Sequence, residues 1–268
     1  MRHTKDLFSL DGKVAIVTGG RGLYGASISL GLCEMGAAVV IASRNGAACE
    51  EYAKELRAQG YSAIGLSLDL SSDESIKALA KEVIDRYGKI DILVNNAVDR
   101  RNMVSLQDAT RQKLQDSADT NLQGQILLSQ AVLEYMIPAG SGSIINISSM
   151  RGLDCPHFPF YPEDKFPNGQ PVSYTTEKWA MVGLTKYMAG CYGKHNIRVN
   201  CIAPGGFNPG LADDPDKKAF QKTYIDNCPL GCWANEDDIK GQVAFLASDA
   251  AGYITGATLV MDGGWTIW

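Results

Sequence analysis

Val14-Ala15-Ile16-Val17-Thr18-Gly19-Gly20-Arg21-Gly22-Leu23-Tyr24-Gly25 is the stretch that decides the fold. Its opening is a short, unbroken apolar run, the pattern of a parallel strand covered on both faces. A glycine-rich turn follows at once, and residues 26–35 then read as a helix stopped by Gly36. Gly20, Gly22 and Gly25 satisfy G-x-G-x-x-G between a strand and a helix, the context that a dinucleotide-binding turn requires. One glycine permits the tight turn, one lets backbone approach a pyrophosphate, and one lets helix meet strand. The pyrophosphate would sit on the helix N-terminus, where free N–H groups and the helix dipole favour an anion.

Outward from this unit the same rhythm repeats. Residues 1–12 are a polar lead-in. Strands are expected at 39–41, 64–68, 90–94, 143–147, 197–202 and 258–261. Helices are expected at 47–59, from Ser71-Ser72-Asp73-Glu74 to Tyr87, over 109–136 as one or two pieces stopped by Pro138 and Gly140, and at 173–192, 216–225 and 237–247. Strands alternating with helices argue for an α/β fold: a doubly wound (Rossmann) parallel sheet of about seven strands with helices on both faces. No linker or repeat divides the chain, so residues 1–268 read as one NAD(P)-binding domain.

Composition narrows the function classes. A 45% hydrophobic, 21% charged chain is that of a soluble globular protein. A net charge of −5 without a basic run argues against nucleic acid or an anionic membrane as partner. No apolar run approaches the roughly 18 residues of a membrane span, and no secretory signal opens the chain. Seven scattered cysteines without a Cys-x-x-Cys, and only three histidines, argue against a metal site and for reduced thiols in the cytoplasm.

The end of the second strand usually separates NAD from NADP, because an acid there binds the ribose 2′-hydroxyl. Here it reads Ile41-Ala42-Ser43-Arg44-Asn45, with no carboxylate. Arg44 can pair with a 2′-phosphate, and Arg21 is a second candidate. NADP(H) is therefore the expected cofactor, with NAD(H) the alternative.

Ser173-Tyr174-Thr175-Thr176-Glu177-Lys178 opens a helix. Tyr174 and Lys178 stand at i and i+4, on one face. A neighbouring ammonium stabilises a phenolate and lowers its pKa, which makes the pair a plausible proton-transfer device.

With Asn95-Asn96-Ala97, Asn121, Ser149, Tyr174-x-x-x-Lys178, Pro204-Gly205 and Asp262-Gly263-Gly264-Trp265 in this order, nearly the whole chain resembles the short-chain dehydrogenase/reductase family. The resemblance implies roles. Tyr174 would be the general acid/base at the carbonyl oxygen. Lys178 would lower the Tyr174 pKa and bond the nicotinamide ribose. Ser149 would orient the substrate oxygen, although Ser148 could be the inward hydroxyl instead. Asn121 would hold a water linking Lys178 to solvent, or merely bond backbone. Hydride transfer leaves charge on an oxygen, and positioned donors stabilise it there. Asp69 would touch the adenine or only form a turn, and Asn95 and Ala97 would flank the adenosine ribose. The cofactor set is then Gly19, Arg21, Gly22, Leu23, Tyr24, Gly25, Ser43, Arg44, Asn45, Asp69, Leu70, Asn95, Ala97, Tyr174, Lys178, Pro204 and Gly205. Family members of this size form dimers or tetramers, and Trp265-Thr266-Ile267-Trp268 fits a buried subunit contact.

Three features depart from the common pattern of compact members. Leu23 stands where a second glycine is usual, a spacing similar to the extended members. Val98 follows Asn95-Asn96-Ala97 in place of glycine. Ser149 and Tyr174 lie 25 positions apart, about twice the usual separation. The extra segment, within a loop over 151–172, carries prolines, aromatics, Glu163, Asp164 and Lys165. Long loops of this kind are often functional. It is expected to wall a pocket for a polar, sugar-like or sugar-acid substrate, with its Phe160 and Tyr161 joined there by Ser149 and Phe207, or else to form a subunit contact. Residues 204–235 are expected to form a lid hinged on Gly205, Gly206 and Gly210, with Phe207 and Trp233 facing the pocket or packed in the core. Pro209 replaces a common threonine contact to the nicotinamide amide.

The leading expectation is an NADP(H)-dependent oxidoreductase interconverting a carbonyl and a secondary alcohol. The alternatives are an acyl-chain 3-oxo reductase, a non-catalytic NADP(H)-binding sensor, and an epimerase or dehydratase holding NAD tightly.

Overall fold

Every residue of the first strand, β1 (Val14–Thr18), is buried, and its side chains divide by the period of two that a strand imposes. Ala15 and Val17 enter one apolar cluster, Val14 and Ile16 the other. The computed structural model describes residues 1–158, 171–207 and 218–267. The other strands are β2 (Ala38–Ser43), β3 (Ala63–Ser67), β4 (Ile92–Asn95), β5 (Gly142–Ile147), β6 (Ile197–Pro204) and β7 (Thr258–Met261). They form one sheet of 7 strands in the order β3-β2-β1-β4-β5-β6-β7, parallel at every pairing.

Helices cover both faces. α2 (Leu23–Glu34), α3 (Gly46–Ala58) and α9 (Asp238–Ala247) bury Ile28, Leu32, Leu56 and Val243 against one side. α4 (Asp73–Tyr87), α6 (Gly124–Ala139) and α7 (Val172–Tyr192) bury Leu79, Val83, Leu128, Val132 and Met188 against the other. Each fully buried aliphatic side chain of this size contributes roughly 1.5–3 kcal/mol. The sequence signals for α4 hold locally: Ser72 Oγ accepts from Ser75 N–H at the start, and Gly88 at φ 75° ends it in a conformation other residues resist.

The structure departs from the sequence reading in two places and refines it in a third. The polar lead-in contains a short helix, α1 (Thr4–Phe8), and is anchored: Phe8 meets Phe245 of α9 at 6.2 Å and Leu10 is fully buried. Residues 109–136 divide into α5 (Arg111–Ala118), a π-helical turn (Asp119–Gln123), and α6. Pro138 lies inside the last turn of α6 and does not stop it; the stop is Gly140, at φ 62°. Among the described residues, no helix is long and apolar enough to cross a membrane.

The strand order reverses between β1 and β4. A crevice therefore opens at their carboxyl ends, where the two following loops turn to opposite sides. Thr18 fixes its floor: its Oγ1 accepts from Asn96 N–H at 2.9 Å and Ala97 N–H at 3.0 Å.

Candidate active site

The glycine turn leaves β1 along the crevice. Gly19 is at φ 62°, and a Cβ there would lie 3.0 Å from Ala97 Cα. A Cβ on Gly25 would lie 2.0 Å from the Gly19 carbonyl oxygen, so helix and turn meet only because both residues lack side chains. Gly22 caps α2 without a side chain, and its own Cβ position meets only Gly19 O, at 3.3 Å. The first-turn N–H groups stay open above it, a cradle that fits a pyrophosphate. Leu23 is 42% exposed at the first position of the helix, so the missing glycine changes the rim and not the packing beneath. Tyr24 turns inward and stacks on Phe207 with ring centroids 4.5 Å apart.

A groove of about 110 Å³ continues toward β2, lined in part by Gly19, Ser43, Arg44, Leu70, Ala97 and Asp99. Larger depressions lie elsewhere. One of about 500 Å³, around Cys33 and Gly60, sits at the amino ends of the strands, away from this chemistry. Asn45 does not line the groove; its Oδ1 accepts from Ala48 N–H at 3.0 Å and caps α3. Asp69 likewise forms a turn, accepting from Ser71 N–H at 2.9 Å and Ser71 Oγ at 2.7 Å, while its neighbours Leu68 and Leu70 line the groove. Arg21 is exposed on the turn.

Asn95 is a correction. It is fully buried, and its Nδ2 donates to Ser129 Oγ and Asn146 Oδ1, both at 2.9 Å. It ties β4 to β5 and α6 and does not reach the groove. Strand alternation sends Asn96 the other way, where Nδ2 donates to the Thr18 carbonyl at 2.9 Å and holds the crevice together.

At the end of β5 the chain makes a 3-10 turn, Met150–Gly152, against which α7 packs. Ser148 Oγ donates to the Lys178 carbonyl oxygen at 2.7 Å, which commits it to the helix. Ser149 is left beside it, 7% exposed, accepting from Arg151 N–H at 3.2 Å. On α7, Lys178 Nζ lies 5.7 Å from the centre of the half-buried Tyr174 ring and donates to the Ile147 carbonyl at 2.8 Å. Burial pushes the Lys178 ammonium down to about 8, opposed by Cys201 and Glu177. Cys201 on β6 is itself pushed up to about 11 by burial. A phenol with an ammonium held this close can donate or accept a proton at an oxygen placed beside Ser149.

Asn121 sits in the π-helical turn, 3% exposed. Its Oδ1 accepts from Asp99 N–H at 2.7 Å and its Nδ2 donates to the Asp99 carbonyl at 3.1 Å. The side chain thus fixes the loop after β4. Two acids that the sequence does not mark enter here. Asp99 is 4% exposed in the groove, and Glu177 is 6% exposed beside Lys178, accepting from Ser117 Oγ at 2.6 Å. Burial pushes the Glu177 carboxyl up, against the hydrogen bonds of Ser117 and Asn121. Nothing in the spacing distinguishes either acid from a surface charge.

Pro204 ends β6, and Gly205 N–H donates to the Met261 carbonyl at 2.7 Å. A Cβ on Gly206 would lie 1.9 Å from the Trp233 ring, so close approach explains this glycine, where a hinge was expected. Trp233 faces the core. It stacks at 4.1 Å on Tyr224 of α8 (Lys218–Asp226), and Tyr224 stacks on Trp265 at 4.4 Å. Trp265, expected at a subunit contact, is 6% exposed within its own chain. Phe207 covers Tyr24 at the glycine turn, on the cofactor side. Phe160, Tyr161, Pro209 and Gly210, with most of the loop before Tyr174, lie outside the described residues. Among the described residues no group of three or more His, Cys, Asp or Glu could hold a metal.

A doubly wound sheet, an open glycine cradle and a Ser149, Tyr174 and Lys178 cluster define an oxidoreductase that works on a bound dinucleotide. A family model described as enoyl-(acyl carrier protein) reductase matches residues 22–266. The chain is 35% identical over 267 residues to 2-dehydro-3-deoxy-D-gluconate 5-dehydrogenase of Escherichia coli (strain K12), covering 96% of this chain and 97% of that protein. It is 35% identical over 258 residues to a 3-oxoacyl-acyl-carrier-protein reductase of Pseudomonas aeruginosa, covering 96% and 98%. A gluconate 5-dehydrogenase from Burkholderia cenocepacia J2315, solved in complex with NADP and tartrate, superposes with a TM-score of 0.87 at 34% identity, covering 99% of this chain and 100% of that one. The chain belongs to the short-chain dehydrogenase/reductase family and is an NAD(P)-dependent oxidoreductase acting on CH–OH groups.

Proposed function

We propose that this enzyme interconverts a carbonyl and a secondary alcohol on a sugar-acid-like substrate with NADP(H). The observation that carries the reading is the cluster at the ends of β5 and α7. Lys178 is anchored on the Ile147 carbonyl 5.7 Å from the Tyr174 ring, and Ser149 is released by the commitment of Ser148 to α7. The nicotinamide, when bound, supplies or takes the hydride. Ser149 orients the reacting oxygen by its hydroxyl. Tyr174 gives that oxygen a proton in reduction and takes it in oxidation, and Lys178 stabilises the phenolate. For the cofactor, the groove offers Arg44 and no acid at the end of β2.

The substrate class is supported by the gluconate-type dehydrogenases among the similar proteins and by the polar, aromatic segment before Tyr174. NADPH absorbance across a panel of sugar acids, sugars, hydroxy acids and ketones tests it. Turnover confined to simple ketones or acyl thioesters would overturn the sugar-acid reading. The second reading, a 3-oxoacyl reductase, is favoured by the P. aeruginosa relative and is separated by the acyl-thioester arm of that panel. We also place the enzyme in the cytoplasm as a dimer or tetramer. Trp179 and Tyr187 leave α7 50% and 68% exposed, an apolar face suited to a second copy, and sedimentation of the purified chain tests it.

A further inference from the structure

Arg44 and Asp99 stand on opposite walls of the groove. Arg44 follows β2 and Asp99 follows β4, with the glycine turn after β1 between them. Their side chains meet across it: Arg44 Nη1 donates to Asp99 Oδ2 at 2.9 Å. The two ends of this pair are held differently. The Asp99 backbone is locked by both ends of the Asn121 amide. Its carboxylate is also clasped by Arg101, from Nε to Oδ1 at 3.0 Å, from Nη2 to Oδ2 at 2.7 Å, and from the Arg101 N–H to Oδ1 at 3.0 Å. The Asp99 side chain is 3% exposed, whereas that of Arg44 is 47% exposed. The acid is fixed and compensated twice; the guanidinium is the movable partner.

We propose that Asp99 is a specificity-determining residue that competes with the cofactor's 2′-phosphate for Arg44. This rests on Arg44 being the phosphate ligand, as in the reading above. On NADP(H) binding, Arg44 exchanges a carboxylate for a phosphate. Arg101 keeps Asp99 from being left buried without a partner, a state that is strongly destabilising. NAD(H) offers Arg44 no phosphate, so the pair stays as it is. Asp99 therefore tempers NADP(H) affinity and leaves NAD(H) affinity alone.

The test is equilibrium binding to the full-length protein, measured by calorimetry with NADPH, NADH, 2′,5′-ADP and 5′-AMP. Asp99→Asn keeps the shape and the backbone bonds to Asn121. It should tighten NADPH and 2′,5′-ADP about fivefold, the value of an ion pair with one half-exposed partner, and leave NADH and 5′-AMP unchanged. In an Arg44→Gln background the same change should have no such effect, because the two residues act on one term. Equal tightening of all four ligands would make the pair a steric bar on adenosine and overturn the competition. Weaker NADH binding would make Asp99 a ribose ligand and overturn it too, as would no change in any ligand. A wild-type preference for NADH would instead refute the NADP(H) reading, independently of the ratio between variant and wild type.

Discussion

Lys178 Nζ donates a 2.8 Å hydrogen bond to the carbonyl oxygen of Ile147, the last residue of β5. One bond thus joins the helix that carries Tyr174 to the strand that delivers Ser149. The Ser148 hydroxyl closes the same junction from the other side, donating to the Lys178 carbonyl at 2.7 Å. Lys178, proposed above to act on the Tyr174 phenol, is thus also part of the fastening between sheet and helix.

Tyr174→Phe keeps the ring and removes the proton. Its kcat should fall by about 10²–10⁴, while NADPH binding measured by fluorescence stays close to wild type. Full carbonyl reductase activity in this variant across the substrate panel would remove Tyr174 from the proton-transfer role.

Lys178 has a depressed pKa, about 8 against 10.5 for an ordinary lysine, because burial disfavours its charge. Between those values the unfolded chain holds more proton than the folded one. The stability contributed by this group is therefore full above about 10.5 and lost as pH falls through about 8. Unfolding midpoints in urea for wild type and Lys178→Met should diverge as pH drops from 10 to 7, the variant gaining. A constant difference across that range would contradict the burial of a charged Lys178.

Ser117→Ala removes the donor at 2.6 Å from the buried Glu177 carboxyl. The loss should be about 1–3 kcal/mol, the penalty for a buried polar group left unpaired. Ser117 lowers the Glu177 pKa, so its contribution belongs to the ionised form and grows as pH rises through that pKa. Urea unfolding at pH 5 and pH 8 should show the larger loss at pH 8. Equal losses would mean that Glu177 does not change charge between those two pH values.

Gly25→Ala and Gly22→Ala separate folding from binding. A methyl at Gly25 would lie 2.0 Å from a backbone oxygen that cannot move aside cheaply, so this variant should be strongly destabilised. At Gly22 the nearest atom is 3.3 Å away, so the protein should fold with a near-native melting temperature. Its NADPH affinity should nevertheless drop, because the methyl occupies the approach to the open N–H groups. Unimpaired binding in Gly22→Ala would move the pyrophosphate off this turn.

Much of the fold is legible in the chain because its signals are local. Apolar runs bounded by glycine mark strands covered on both faces, and α4 is bracketed by the Ser72 hydroxyl at its start and by Gly88, free of a side chain, at its end. Tyr174 and Lys178 are legible for the same reason, since a helix alone brings i and i+4 together. The sequence does not tell which asparagine of Asn95-Asn96 turns inward. Strand phase at β4 decides it, and phase depends on which neighbours the strand finds. The π-helical turn at Asp119–Gln123 likewise has no compositional mark, yet it carries Asn121 to the Asp99 backbone.

By itself, then, the sequence determined the alternating α/β order, the glycine cradle and the tyrosine–lysine face, because each is written within a few turns of backbone. The tertiary structure alone decided that Ser148 is spent on α7 and Ser149 is not, that Trp265 is buried in its own chain, and that Arg44 is held by Asp99 across 55 residues of sequence. Those outcomes depend on groups distant in the chain meeting in a low-dielectric interior. There a buried polar atom without a partner is costly, and the fold determines which partner is within reach.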